Sequence, residues 1–209
     1  MGKRSTAALD VDRVATTALS MLAESGLEGI STRRLAERLG VQGPALYYHF
    51  RDKDELLGHM AAVIMRASLA ATRPSRDWRR WLRAHALASR KTLLRYRDGA
   101  RVLAASAPDE AMRQQIMPAV AAPLIAAGFR RGDAYEIVSL IAAFTLGFVI
   151  NEQNAVMRSY MSSIIDVDRG FAHAVDALIA GVEHRYRIGR EERAQRRRVL
   201  HRPGKVKRP

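Results

Sequence analysis

The sequence contains no cysteine among its 209 residues. This absence excludes disulfide bonds and thiolate metal sites, and it is typical of cytoplasmic proteins. A long hydrophobic run is also missing, because the most apolar stretch, residues 137–150, has 14 residues, fewer than the ~20 that a transmembrane helix needs. The first residues form no hydrophobic signal core. We therefore expect a cytoplasmic protein without membrane contact.

Acidic residues are outnumbered by basic ones, 21 to 35, which gives a net charge of +14. Half of this excess lies in residues 188–209, which carry nine basic and two acidic side chains. The segment has few apolar residues, and we expect it to be disordered beyond about Glu192. Two interpretations of this basic tail, residues 189–209, stay open. It is either a solubilising terminus or a nonspecific contact to nucleic-acid phosphates.

Sustained period-2 alternation, the pattern of a half-buried strand, is absent as well. Apolar residues recur at helical spacing instead, which predicts a first helix over residues 10–24, a second that ends at Gly40 and a third that begins at Pro44. The second and third have the spacing of a helix-turn-helix. We predict an all-α fold with a three-helix N-terminal domain over residues 1–53 and a second helical domain over residues 54–188.

Aromatic residues are scarce at 6%, yet three rings cluster in "GPALYYHF", residues 43–50. If Leu46 and Phe50 face the core, the 100° step per helical residue turns Pro44 and Tyr48 toward solvent. Ala45 and Tyr47 then flank these two residues, and His49 lies at the margin of the outer face. Such a surface fits the major groove of DNA, where hydroxyl and imidazole groups reach phosphates and base edges. The alternative is that the rings only cover the edge of their own helix.

The run "GISTRRLAERLGVQGPALYYHFRDKDELL", residues 29–57, resembles the DNA-binding domain of the tetracycline-repressor (TetR) family of bacterial transcriptional regulators. Similarity extends over roughly residues 8–187 and includes "GFRRGDAYEIVSLIAAFTLGFVINEQ", residues 128–153. The resemblance implies a homodimeric repressor that binds double-stranded operator DNA. It also implies that residues 54–188 form a ligand-binding and dimerisation domain, and that a small-molecule effector releases the DNA.

The resemblance assigns DNA contacts to the helix-turn-helix. Arg33 matches the position that reads a base edge, and arginine is the usual partner of guanine. Thr32 and Lys53 match phosphate contacts. The recognition turn and helix comprise Gln42, Gly43, Pro44, Ala45, Tyr47, Tyr48 and His49. The alternative for Arg33 and Lys53 is a solvated helix face.

The effector site is expected in the second domain, where His85 lies on an apolar helical stripe. A single histidine on such a stripe is either a satisfied core residue or a ligand contact. Pro118 and Pro123 are expected to break or kink their helix beside the cavity. By resemblance, the ligand-binding residues are Leu69, Trp81, His85, Leu103, Ser106, Ile116, Phe144, Phe148 and Asn151.

Several of these positions depart from the family pattern. Leu69 and Leu103 match histidines, and Asn151 matches a carboxylate that holds metal-bound water. Because each change removes a polar or metal-binding group, we expect a largely apolar effector, with no metal site and no cofactor.

The final predicted helix carries apolar residues at helical spacing, and the resemblance makes it a dimerisation helix. We expect it to pack with the eighth helix against the symmetry mates in a four-helix bundle. The expected interface residues are Phe171, Val175, Leu178 and Val182.

Sequence signals of catalysis are missing. The six histidines have no metal-ligand spacing, and no glycine-rich phosphate loop or nucleophile elbow is present. We therefore expect no enzymatic activity. The alternatives to a specific regulator are a charge-driven, nonspecific nucleic-acid-binding protein and an enzyme.

Overall fold

The computed structural model of the chain describes residues 10–48, 50–106 and 110–200, except for the side chains of residues 47, 110–112 and 187–200. All regular elements in these ranges are helices, as the sequence predicted. They are α1 (Val11–Ser25), α2 (Thr32–Leu39), α3 (Gly43–Tyr47), α4 (Lys53–Ala70), α5 (Trp78–Leu93), α6 (Gly99–Ala104), α7 (Glu110–Ala126), α8 (Arg131–Gln153), α9 (Ala155–Ile164) and α10 (Val167–Leu200).

Local capping residues define the ends of the first helices. Asp10 caps α1 by accepting a hydrogen bond from the Asp12 backbone N–H at 3.3 Å. Ser31 caps α2 in the same way, as its oxygen accepts from a backbone N–H that has no partner inside the helix. Gly40 ends α2 in the left-handed conformation, with φ of 69°, which glycine adopts without steric cost. The chain can therefore turn sharply from α2 into α3.

The N-terminal core extends beyond the first three helices. Leu19, Leu35 and Leu46 are buried with residues of α4, and Ala100, Val102 and Val149 belong to the same cluster. The N-terminal helices therefore rest on α4, α6 and α8. The boundary at residue 53, which stays a prediction, coincides with no gap in this core.

A second core is formed by α5, α7, α8 and α10 around Trp81, Leu124, Ile141 and Phe171. It also contains the residues of the expected dimer interface. Phe171 and Val175 are 0% exposed, and Val182 is 7% exposed within a single subunit, while Leu178 is partly buried against the same cluster. The periodicity identified a real apolar stripe that packs largely in the core of its own subunit, and its contact with a second subunit stays a prediction.

Helix α8 is longer than its most apolar stretch suggested. With 23 residues, it is long and apolar enough to cross a membrane by length and composition alone. It packs, however, among α5, α6, α7 and α9. It also buries Glu152, whose carboxylate accepts from Arg90 at 2.6 Å. A buried, paired charge and contacts with four other helices are typical of a helix in a folded protein core.

Two further expectations concern α7 and α10. Helix α7 continues through Pro118 and Pro123 without ending, so the prolines do not break it, and the kink stays a prediction. Helix α10 continues to Leu200, where the sequence predicted disorder beyond Glu192. Residues 190–198 are Arg, Glu, Ala and Gln, all good helix formers. Residues 201–209 lie outside the described residues.

Candidate DNA-binding surface and ligand cavity

Helix α3 presents one face to the core and the other to solvent. Leu46 is 2% and Phe50 5% exposed, whereas Tyr48 is 90% exposed. Pro44 is exposed beside it. The predicted orientation is therefore confirmed for these residues. The side chain of Tyr47 and the whole of His49 lie outside the described residues.

The other predicted DNA contacts surround this face. Gln42 and Lys53 are exposed, and Thr32, Gly43 and Ala45 are half-buried. The Arg33 side chain is 89% exposed, and its guanidinium pairs with Glu37 one helical turn away, at 3.1 Å. Exposed ion pairs of this kind contribute little to stability. Arg33 can therefore exchange Glu37 for a base edge at low cost.

A cavity of about 150 Å³ lies between α4, α5, α6, α7 and α8. Three of the predicted ligand-binding residues line it: His85, Leu103 and Ile116. Most of the lining is aliphatic, and Arg113 is the one charged side chain among the described lining residues. A cavity of this kind suits a small molecule with few polar groups.

The remaining predicted ligand-binding residues lie outside this lining. Trp81 is next to it, since its indole N–H donates to the Val120 carbonyl at 2.8 Å. Ser106 donates to the Leu103 carbonyl at 3.4 Å, and Asn151 is exposed. Three others pack in the second core: Leu69, Phe144 and Phe148.

Several lining residues were missed from the sequence. Ser68, Ser89 and Thr145 supply hydroxyls. The others include Met65, Arg113 and Met117. A helical signal was available for some of them, because Met65 and Ser68 are three residues apart on α4, and Arg113 and Met117 are four apart on α7. Matching single positions to a family pattern does not use this signal.

His85 is the titratable group inside the cavity. Its Nδ1 lies 3.0 Å from Thr72 Oγ1, and its ring stacks on Trp81 with centroids 6.2 Å apart. Burial lowers the pKa of His85 from 6.5 to about 4, because an apolar environment disfavours the imidazolium. The ring is therefore neutral at physiological pH. Among the described residues, no three histidine or carboxylate side chains are grouped closely enough to hold a metal ion.

Helix α6 connects the cavity with the N-terminal domain. At one end, the Asp98 carboxylate accepts from the Leu27 backbone N–H at 2.9 Å, and Arg101 pairs with Glu28 at 2.6 Å. At the other end, Leu103 lines the cavity. A ligand that displaces α6 would therefore also displace the turn after α1.

The outer faces of α8 and α10 carry small and apolar residues. Those of α8 include Leu140, which is 45% exposed, with Ala143 and Gly147. Those of α10 are Ala177, Ala180 and Gly181. A Cβ added at Gly147 or Gly181 would have no neighbouring atom of the described residues within 4 Å outside its own helix backbone. This surface has room for a second helix pair.

Comparison with known proteins identifies the family. Residues 14–60 match the family described as "Bacterial regulatory proteins, tetR family", and residues 71–162 match the "Tetracyclin repressor-like, C-terminal domain". The tetracycline repressor protein class C of Escherichia coli is 42% identical over 147 residues, which cover 69% of this chain and 67% of that protein. The chain belongs to the tetR family.

Solved structures of tetR-family proteins agree with this assignment. A TetR variant from Acinetobacter baumannii AYE in complex with minocycline is 35% identical with a TM-score of 0.72, covering 84% of this chain and 97% of that one. BioQ with its double-stranded DNA operator is 28% identical with a TM-score of 0.60, covering 82% of this chain and 99% of that one. This tetR-family chain is accordingly a DNA-binding, ligand-responsive transcriptional regulator.

Proposed function

We propose that this tetR-family regulator is a cytoplasmic, homodimeric repressor that a small, largely apolar, metal-independent effector releases from its operator. The observation that carries the effector class is the lining of the cavity. Among the described lining residues there is one imidazole and no carboxylate, whereas a magnesium chelate needs oxygen or imidazole ligands around it. The proposal assigns the chain no catalytic activity.

The exposed face of α3 supports its role as the DNA-reading element. Tyr48 and Pro44 point away from the core, and Arg33 and Lys53 supply positive charge at the start of α2 and α4. In a twofold dimer, two such faces fit the major grooves of a near-palindromic site with half-sites ~34–36 Å apart or a multiple of that spacing.

The contacts of α6 support a mechanism of release. An effector that binds better to one position of α6 shifts the population toward that position. Because Asp98 holds the Leu27 backbone, this shift changes the orientation of the N-terminal helices. The spacing of the two reading faces then no longer matches the operator.

The proposed DNA specificity can be tested by selecting duplexes from a random pool with the full-length protein. We expect enrichment of one near-palindromic sequence. The alternative, a charge-driven binder that uses the basic tail, predicts no enriched sequence and loss of most DNA binding after truncation at Gly189. That pair of results would contradict the repressor.

The effector class can be tested on the selected operator complex. The relative from Acinetobacter baumannii binds minocycline, so a tetracycline with magnesium is the first competing candidate. We expect no release at low micromolar drug. Release that a chelator abolishes would contradict a metal-independent effector while leaving the repressor intact.

A further inference from the structure

Two successive hydrogen bonds determine the state of His85. Its Nδ1 lies 3.0 Å from Thr72 Oγ1, and Thr72 Oγ1 lies 2.8 Å from the Ser68 carbonyl oxygen. Thr72 is 6% and Ser68 4% exposed. The hydroxyl of Thr72 has one proton and can donate it in only one of these bonds.

The backbone hydrogen bonds at the end of α4 indicate which of the two bonds uses the Thr72 proton. The Thr72 backbone N–H donates to the Leu69 carbonyl at 3.1 Å, so it does not serve the Ser68 carbonyl as it would in a continuing helix. A buried carbonyl without a donor costs ~1–3 kcal/mol. The Thr72 hydroxyl therefore donates to Ser68, and its oxygen accepts a hydrogen bond from His85. It follows that Nδ1 of His85 carries the ring proton.

The other ring nitrogen is consequently a hydrogen-bond acceptor. In a neutral imidazole that is protonated at Nδ1, Nε2 has a free lone pair. Nε2 has no hydrogen-bond partner among the described residues, and every fully buried side-chain nitrogen or oxygen in those residues has one. Nε2 is thus accessible, and His85 lines the cavity. Its lone pair is available to a ligand there.

Two other hydroxyl groups of the lining already donate their protons to backbone carbonyls. Ser68 Oγ donates to the Ile64 carbonyl at 2.9 Å, and Thr145 Oγ1 donates to the Ile141 carbonyl at 2.8 Å. Both oxygens keep only lone pairs for a ligand. The charged donor of the lining, Arg113, is exposed to solvent, so it belongs to the outer part of the cavity.

We propose that the effector is a largely apolar molecule with a neutral N–H or O–H group that donates a hydrogen bond to His85 Nε2. A carbonyl, ether or carboxylate at this place would bring two lone pairs together and leave both groups unsatisfied. The inference rests on the proposed function, because it takes the cavity as the effector site. It adds the chemical class of the polar group.

A matched pair of ligands tests the donor requirement. Indole and benzofuran have the same bicyclic shape, but indole presents an N–H where benzofuran has an ether oxygen. Calorimetric titration of the full-length protein should give indole an affinity ~5-fold higher, the factor that corresponds to one hydrogen bond of ordinary strength. In His85→Phe the two affinities should become equal. Equal affinities in the unmodified protein would overturn the proposal and leave the apolar effector site in place.

The ring state can be measured without a ligand. In protein labelled with ¹⁵N histidine, the two-bond correlations of His85 at pH 7 should identify Nδ1 as protonated and Nε2 as unprotonated. Indole should shift the Nε2 signal more than benzofuran does. A proton on Nε2 in the free protein would overturn the proposal whatever binds.

Variants of Thr72 separate positioning from general stability. Thr72→Ser keeps the hydroxyl and should preserve both the ring state and the preference for indole. Thr72→Val removes the acceptor of Nδ1 and should reduce the preference by most of its value. If neither ligand binds at millimolar concentration, the cavity is not an effector site, and the proposal and the function beneath it both fail.

Discussion

At the scale of single residues, His85 makes the stability of the fold depend on pH. Its pKa is about 4 in the folded protein and ~6.5 in an unfolded chain. Between these values the unfolded state binds more protons, so the free energy of unfolding decreases as pH falls from about 6.5 to about 4. The loss amounts to about 3 kcal/mol at ~1.4 kcal/mol per pKa unit.

We expect His85→Phe to lack this component. The free energy of unfolding of both proteins can be measured with urea at equal concentration between pH 7 and pH 4.5. As the pH falls, the unmodified protein should lose more stability than His85→Phe. Equal concentration is necessary because dimerisation contributes to the measured stability. Parallel pH profiles would show that the pKa of His85 is the same in the folded protein and in the unfolded chain, as for an exposed ring.

Arg33 and Arg38 form a matched pair for testing base recognition on α2. Arg33→Ala should relax the sequence preference of the operator at one position and cost ~1–3 kcal/mol of specific binding. Arg38 pairs with Glu24 at 2.6 Å on another face of the helix. Arg38→Ala should leave the preference unchanged. The measurement is the binding free energy of each protein for the selected operator and for its single-base variants. Identical base preferences for Arg33→Ala and the unmodified protein would contradict the role of Arg33 in base recognition.

Individual orientations in the helix-turn-helix could be predicted from the sequence because the 100° step fixes them once two core residues are known. Burying Leu46 and Phe50 determines that Tyr48 is exposed. The lining of the cavity could not be predicted in the same way. Ser68 and Thr145 face it because of how α4 and α8 are rotated against each other, and no spacing within either helix determines this rotation.

At the scale of elements, α6 is one connection between the cavity and the N-terminal domain, beside α4, which also lines the cavity and packs against α1. Asp98→Ala removes the acceptor of the Leu27 N–H and one of the two carboxylates that pair with Arg101. We expect a loss of ~1–3 kcal/mol in stability, since the partly buried N–H is left unpaired. We also expect the variant to bind operator while releasing it less completely with effector.

A control at the same contact between α6 and the N-terminal domain distinguishes the loss of stability from the loss of release. Glu28→Ala also removes a partner of Arg101, but the Glu28 side chain is 81% exposed. The substitution should therefore change stability by less than ~1 kcal/mol. The measurement is operator affinity with and without a saturating ligand of the cavity, such as indole. If Asp98→Ala keeps the full ratio of the two affinities, α6 does not transmit the signal through this contact.

Helix α10 illustrates what periodicity leaves undetermined. The spacing of Phe171, Val175 and Val182 predicted a buried stripe, and the stripe is buried. Whether a stripe meets the core of its own subunit or a partner depends on tertiary packing. Here α5 and α8 pack against it, and the opposite face, with Ala177 and Gly181, is exposed.

At the scale of the whole molecule, the fold class and family were predictable because the helix-turn-helix motif is dense and the helical spacing is sustained. The division into domains was less accessible. Val149 of α8 and Ala100 of α6 share a core with α1 and α2, so the N-terminal helices are packed onto the second domain. This continuity lets a ligand in one part alter the orientation of the other.

The dimer can be tested at two glycines of the outer face. A Cβ at Gly147 or Gly181 has no neighbouring atom of the described residues within 4 Å outside its own helix backbone, and both lie inside long helices, where replacing glycine raises helix propensity. Gly147→Arg and Gly181→Arg should therefore preserve the subunit fold while placing a charge in the proposed four-helix interface. We expect monomers by light scattering at micromolar concentration, with helical circular dichroism retained.

Gly132 supplies the matched control for this test. It also belongs to α8 and has no atom within 4 Å of an added Cβ, but it lies in the first turn, away from Ala143 and Gly147. Gly132→Arg should remain dimeric and bind the operator normally. The interface variants should lose most of their operator affinity, because one α3 holds only one half-site and the second contact is no longer intramolecular. Dimers in all three variants would place the subunit contact on another face, for which the exposed Val156 and Tyr160 of α9 would be the next positions to substitute.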